Sequence, residues 1–233
     1  MTEHSLVPPT ARARIRGLAV PFAVALGRAG LTPNALTVVG FLGVCAAGVL
    51  AGLQLWLAAG LMSLLFAAFD MLDGALARAT GRVSRFGAFL DSTLDRAGEG
   101  VLYAGIVAGT AGAADRLLPT LAALAMIAAF LVSYTRARAE GLGFGGDVGV
   151  APRAERVVIM GLGLVATGLA GGLEAAAAAE PGGAVTLPGG LVLAVDTGQP
   201  WLAGTLGLLF ILSAITVLQR IRHVRAQARR AKE

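Results

Sequence analysis

Apolar residues along this chain gather into six long runs, at about 35–52, 54–72, 88–112, 117–138, 155–173 and 199–220. Each run is close to the ~20 residues that a helix needs to cross the ~30 Å hydrocarbon core of a bilayer. A segment in lipid must pair its backbone amides within itself, so the runs predict six helices. The connectors at 52–54, 78–85, 113–116 and 140–153 are short. The last, 174–199, is long, and Pro181, Gly182, Gly183, Pro188, Gly189 and Gly190 break any helix there. Apolar β-branched residues around Pro188 to Gly190 predict a short hairpin within Val185 to Val195. The expected fold class is an all-α integral membrane protein, six transmembrane helices preceded by an interfacial amphipathic helix. One membrane domain is expected over 1–233, divided into an interfacial segment (1–30), a six-helix bundle (35–220) and a basic tail (221–233).

Composition supports lipid as the solvent. Hydrophobic residues make up 56% of the chain and charged residues 14%, against about 25% charged in a soluble domain. The 33 glycines follow no collagen period and sit within apolar runs, where small residues let membrane helices approach closely. A single cysteine, Cys45, excludes an intrachain disulfide framework or a thiolate metal cage.

The net charge of +5 raises the question of nucleic acid, and the positions of the charges answer it. Six spans put both termini on one side, and Arg116 is then the only one of 19 Lys and Arg on the other. That asymmetry predicts a multi-pass protein of the plasma membrane with both termini cytoplasmic. No continuous basic face with stacking or base-reading groups is visible, so no nucleic-acid partner is expected. Near the start, Arg12, Arg16 and Arg28 can reach headgroups while Leu18, Val20, Phe22 and Leu26 enter the acyl boundary. Pro21 and Arg28 interrupt that segment, which argues against a signal peptide.

Chemistry is sought where charge enters the apolar pattern. Asp70 and Asp73 stand at i,i+3 and Asp91 and Asp95 at i,i+4, each pair on one helix face near the basic side. An ionised Asp deep in a span costs ~2.5–3.5 kcal/mol even on a lenient insertion scale. A divalent cation would remove that conflict, and hard oxygen ligands without His or Cys select Mg2+, Mn2+ or Ca2+ over zinc. The plainer alternative is pairing with Arg78, Arg82, Arg85 and Arg96. Small Gly74 and Ala77 leave room beside the carboxylates, and Gly87 serves either a tight entry to the third run or helix packing. Arg78 offers a guanidinium suited to phosphate oxygens, and Ser84 a hydroxyl.

In full the segment reads Asp70-x2-Asp73-Gly74-x2-Ala77-Arg78-x8-Gly87-x3-Asp91-x3-Asp95. It resembles the signature of the CDP-alcohol phosphatidyltransferase family with every fixed position occupied, and Thr32-Pro33-Asn34-x2-Thr37 at the entry to the first run matches as well. The resemblance implies a transferase of phospholipid biosynthesis that moves the phosphatidyl group of CDP-diacylglycerol to an alcohol and releases CMP. It implies two metal ions, Mg2+ or Mn2+, held by Asp70, Asp73, Asp91 and Asp95, with Asp95 as general base. Asn34, Ala35, Leu36, Thr37, Gly74, Ala77, Arg78 and Ser84 would bind CDP-diacylglycerol. A homodimer is implied in the same way.

A second segment bears on the acceptor. Ser133-Tyr134-Thr135-Arg136 and Arg153-Ala154-Glu155-Arg156 fall at one mouth and resemble the corresponding segments of phosphatidylinositol-phosphate synthases, with Gln219-Arg220 extending the similarity. The resemblance implies an acceptor phosphate, on inositol phosphate, held by Ser133, Arg136, Arg153, Arg156 and Arg220. Arg136 stands where lysine is frequent, and the 174–199 loop is longer than usual. Three alternatives stay open: charges that only set membrane orientation, a sister enzyme such as a phosphatidylglycerophosphate synthase, and a non-enzymatic membrane metal transporter.

Overall fold

The computed structural model describes residues 21–112, 116–173, 184–187, 191–194 and 198–230, side chains at 70, 71, 184–187 and 191–194 excepted. Residues 21–28 form a first helix, α1. It is followed by α2 (Pro33–Gly52), α3 (Trp56–Ala79), α4 (Arg85–Thr110), α5 (Leu117–Gly141), α6 (Arg153–Leu169) and α7 (Gln199–Arg230). Two strands, β1 (Ala184–Leu187) and β2 (Leu191–Ala194), pair antiparallel with Ala184 opposite Ala194. The hairpin expected between the last two helices is therefore present, a small β element beside the helices that make up most of the described residues.

The helices overrun the apolar runs mainly at one end. α3 continues to Ala79, α4 begins at Arg85, α5 reaches Gly141, and α7 reaches Arg230 through what the sequence predicts as a tail. Hydropathy marks immersion in lipid, whereas Ala, Arg, Gln and Leu continue a helix past the headgroups. Of the expected N-terminal helix only 21–28 is described; Arg12, Arg16, Leu18 and Val20 lie outside the described residues. In α1, Ala23 is buried against Leu36, Ala75 and Leu76, while Phe22 faces outward.

Packing joins α2 to α4, α4 to α5, α5 to α7, α7 to α6, α6 to α3 and α3 to α2, a closed ring of six helices. One buried core draws on all six: Ala51 of α2, Trp56 of α3, Ile106 of α4, Ala122 of α5, Leu164 of α6 and Leu206 of α7. These residues lie alternately near C- and N-terminal ends of successive helices, so the chain runs up and down. All of the remaining ends therefore meet on the opposite side: the start of α2, the end of α3, the start of α4, the end of α5, the start of α6 and the end of α7.

α2, α3, α5 and α7 are each long and apolar enough to cross a membrane, which makes this a membrane protein. α4 and α6 do not meet that description. α6 has 17 residues, and α4 carries Asp91, Asp95, Arg96 and Glu99. The two helices that depart from the apolar norm bring charge inside the ring.

Candidate active site

The start of α2 is set by Thr32, whose hydroxyl accepts from the Ala35 amide at 3.2 Å, and by Pro33 in the first turn. From that turn Asn34 and Thr37 point the same way, being three residues apart. The Thr37 hydroxyl lies 2.6 Å from Oδ2 of Asp73 and donates to it, tying α2 to α3. At the end of α3, Gly81 adopts a φ of +65°, and the Arg82 amide bonds back to the Ala77 carbonyl at 2.9 Å. This left-handed turn suits glycine and reverses the chain within five residues. Ser84 then caps α4, accepting from the Gly87 amide at 2.9 Å.

These elements enclose an open cleft of about 300 Å³. Asn34, Thr37, Gly74, Ala77, Arg78 and Ser84, all expected to bind the nucleotide lipid, line it, together with Asp73 and Asp91. Arg82 also lines it, although the sequence reading gave it no binding role. A Cβ on Gly74 would come within 3.3 Å of the Arg78 guanidinium, and one on Gly87 within 3.0 Å of the Ser84 hydroxyl and 3.2 Å of Asn34 Oδ1. Gly87 thus makes room for polar groups in the cleft. Two helix N-termini, a pair of guanidiniums and a capping hydroxyl suit this cleft to a diphosphate.

Two other residues expected to bind there, Ala35 and Leu36, are placed differently from Asn34 and Thr37. Ala35 lines neither this cleft nor the cavity beside it, and its amide bonds to the Thr32 hydroxyl. Leu36 is buried under the cleft against Ala75 and Leu76, and lines only the deeper cavity. The 100° step of a helix rotates both away from the face shared by Asn34 and Thr37.

That deeper cavity, about 50 Å³, adjoins the cleft through Thr37 and Asp73, which line both. Asp95, Glu99, Arg153 and Arg156 form its charged wall, and Phe41, Phe66 and Met160 contribute to the apolar one. Arg153 reaches Oδ2 of Asp95 at 2.8 Å, and Arg96 stands 3.6 Å from the same oxygen. Further in, Arg156 forks onto Glu99 with bonds of 3.1 and 3.0 Å and donates to the Ala151 carbonyl at 3.2 Å. Asp73 stands where the two spaces join, with Asp91 on the cleft side and Asp95 on the cavity side; carboxylate oxygens of this kind suit a hard divalent cation. Among the described residues no three such ligands are gathered closely enough to hold an ion, and the side chain of Asp70 lies outside those residues.

Of the expected acceptor residues, Arg153 and Arg156 line the cavity with Asp95; Ser133, Arg136 and Arg220 line neither space. Arg136 pairs with Glu140 and Asp147, both at 2.9 Å. Arg220 is buried and donates to the carbonyls of Val148 and Val132. Gln219 and Thr216 add bonds to the amides of Val150 and Ala151, so this part of α7 fastens the 142–152 connector. Glu99 was missed by the sequence reading. Its signal was there, because 91, 95 and 99 continue one i,i+4 stripe inward along α4.

The geometry agrees with known proteins. Residues 30–180 match the family model described as CDP-alcohol phosphatidyltransferase. The phosphatidylinositol phosphate synthase of Mycobacteroides abscessus is 42% identical over 156 residues, 64% of this chain and 68% of that protein. The archaetidylinositol phosphate synthase of Pyrococcus horikoshii is 44% identical over 136 residues, 58% of this chain and 70% of that one. Crystal structures of the Mycobacterium tuberculosis phosphatidylinositol phosphate synthase, with CDP-DAG bound and with manganese and citrate, each superpose with a TM-score of 0.72 at 31% identity. They cover 88% of this chain and 92% and 88% of those chains. The signature spacing, the cleft that Asp73 and Asp91 border and the match over 30–180 come together in one conclusion: this chain belongs to the CDP-alcohol phosphatidyltransferase family and is an enzyme.

Proposed function

We propose that the protein transfers the phosphatidyl group of CDP-diacylglycerol to inositol phosphate, giving phosphatidylinositol phosphate and CMP. One observation carries this reading: Asp73 stands on the boundary between a cleft suited to a diphosphate and a cavity walled by two arginines. Relatives with two kinds of lipid backbone, phosphatidyl and archaetidyl, share inositol phosphate in their names, which favours that acceptor.

In the cleft, Asn34, Thr37, Arg78 and Ser84 bind the cytidine diphosphate portion, with Arg82 adding a second guanidinium and Gly74 and Ala77 leaving room for it. Asp70, Asp73, Asp91 and Asp95 would hold two divalent cations, Mg2+ or Mn2+, which when bound neutralise the diphosphate and stabilise the attacking and departing oxygens. Thr37 fixes the orientation of Asp73. Arg153 and Arg156 draw the acceptor phosphate into the cavity, with Ser133 and Arg136 at the adjoining end of α5, while Arg220 holds the connector that leads to Arg153. Asp95 takes the proton of the acceptor hydroxyl as its oxygen bonds to the phosphorus that carries diacylglycerol. The phosphorus–oxygen bond to CMP breaks, and CMP leaves with that oxygen.

The site lies at the basic end of the ring, so it opens to the cytoplasm with both termini there, where soluble acceptor and nucleotide meet a lipid held in the leaflet of the plasma membrane. α4 and α6 complete six spans: Val158, Leu162 and Leu169 of α6 face outward to lipid while Arg156 faces in. The chain works as a homodimer, and its amphipathic N-terminal segment lies along the membrane–water boundary.

A headgroup panel tests the assignment. Purified protein with CDP-diacylglycerol and Mg2+ should release CMP with inositol phosphate and not with free inositol, and EDTA should stop turnover reversibly. Equal use of free inositol would remove the arginine cavity from the mechanism; glycerol 3-phosphate as the better acceptor would make the protein a phosphatidylglycerophosphate synthase instead.

A further inference from the structure

α4 and α6 are not neighbours in the ring: α4 packs on α2 and α5, and α6 on α3 and α7. Two ion pairs nevertheless join them across its interior. The outer is Asp95 to Arg153 at 2.8 Å, and the inner is Glu99 to Arg156, with bonds of 3.1 and 3.0 Å. The residues are four apart on α4 and three apart on α6, the spacings that stack side chains on one helix face. The pairs thus form two rungs, one above the other.

The rungs differ in their surroundings. Asp95 and Arg153 keep side-chain exposures of 13% and 22%, whereas Glu99 and Arg156 keep 7% and 1%. Charge in the inner rung is shielded from water, so its attraction is strong and its geometry bidentate. A third bond, from Arg156 to the Ala151 carbonyl, ties it to the residue two before the start of α6. Buried Tyr103, one turn further along α4, closes the same wall. A buried pair of this kind adds little net stability over an apolar isostere, and setting a unique geometry is its better-attested use.

We infer that Glu99 is a positioning residue for acceptor binding: it fixes Arg156, and with it the first turn of α6, so that both arginines face Asp95 across the ring. This rests on the function proposed above and adds to it a residue that touches neither cytidine diphosphate nor the reacting atoms. Glu99 sets the distance between the half of the site on α2, α3 and α4 and the half on α6.

The test compares wild type with Glu99→Gln and Glu99→Asp in detergent. Inositol phosphate affinity is measured by calorimetry, and KM for each substrate by CMP release. Glu99→Gln should weaken acceptor affinity and raise acceptor KM about tenfold or more, while KM for CDP-diacylglycerol stays within about twofold. Glu99→Asp, which keeps the charge, should fall between Gln and wild type. If Glu99→Gln does not yield a monodisperse protein, Glu99→Asp decides alone: a selective rise in acceptor KM supports the positioning role, and an unchanged KM overturns it. Equal weakening of both substrates, or loss of folded protein with unaltered constants, also overturns it. Should wild type use a different phosphorylated alcohol, the acceptor assignment fails separately, and the same comparison is read with that alcohol.

Discussion

At one end of the ring, glycines let α2 and α4 meet backbone against backbone: a Cβ on Gly48 would lie 2.8 Å from the Val101 carbonyl, and one on Gly105 would overlap the backbone of Gly48. At the other end the same two helices part, and a cleft of about 300 Å³, lined by Thr37 and Asp91 and by Asp73 of α3, opens between them and the end of α3. α3 and α6 repeat the contrast. Gly60 admits the backbone of α6, with a Cβ there coming within 2.6 Å of the Val165 amide, whereas the start of α6 sends Arg153 and Arg156 into the deeper cavity. Lipid gives helices no hydrophobic reason to associate, so close packing of small residues must hold one end before polar groups can keep the other open. The apolar end is the clamp, and the charged end is the candidate site it permits.

Substitutions should separate the two ends. The largest effect is expected from Asp95→Asn, which keeps shape and removes the proposed base: kcat should fall about 10²-fold or more with CDP-diacylglycerol affinity retained, because base catalysis typically contributes that much. A loss confined to substrate affinity would reassign Asp95 to a ligand role. At the closed end, Gly105→Leu should destabilise the fold by ~1–3 kcal/mol through overpacking, read as earlier thermal loss of the monodisperse peak. Turnover per folded molecule should stay near wild type, and a matching fall in kcat would show that the two ends are not separable. The smallest effect belongs to Ser84→Ala, which removes both an α4 cap and a cleft hydroxyl: ~0.5–2 kcal/mol of helix stability and a modest rise in KM for CDP-diacylglycerol. An acceptor KM that rose instead would place Ser84 in the other space.

Much of the helical layout was legible because lipid imposes one rule everywhere. Observed helices begin and end within a few residues of the apolar runs at the closed end, where Gly52 and Thr110 finish α2 and α4. Boundaries drifted at the open end, where α3 and α7 pass Asp73 and Arg220 in helical form. The residues expected to bind the nucleotide were chosen by fixed spacing, and of the run Asn34 to Thr37 only Asn34 and Thr37 line the cleft. The arginines were harder. Arg136, Arg153, Arg156 and Arg220 look alike in sequence, but one pairs with surface acids, two enter the cavity and one fastens a connector.

The sequence by itself determined what local rules can carry: which segments are helical, which end of the bundle is basic, and which face of α4 bears Asp91 and Asp95. Each follows from period, composition or spacing within one segment. Only the tertiary structure decided which arginine meets which carboxylate. Arg156 lies 57 residues from Glu99 and reaches it across the ring. Such a partnership depends on how six helices close on one another, and no spacing along a single helix encodes it.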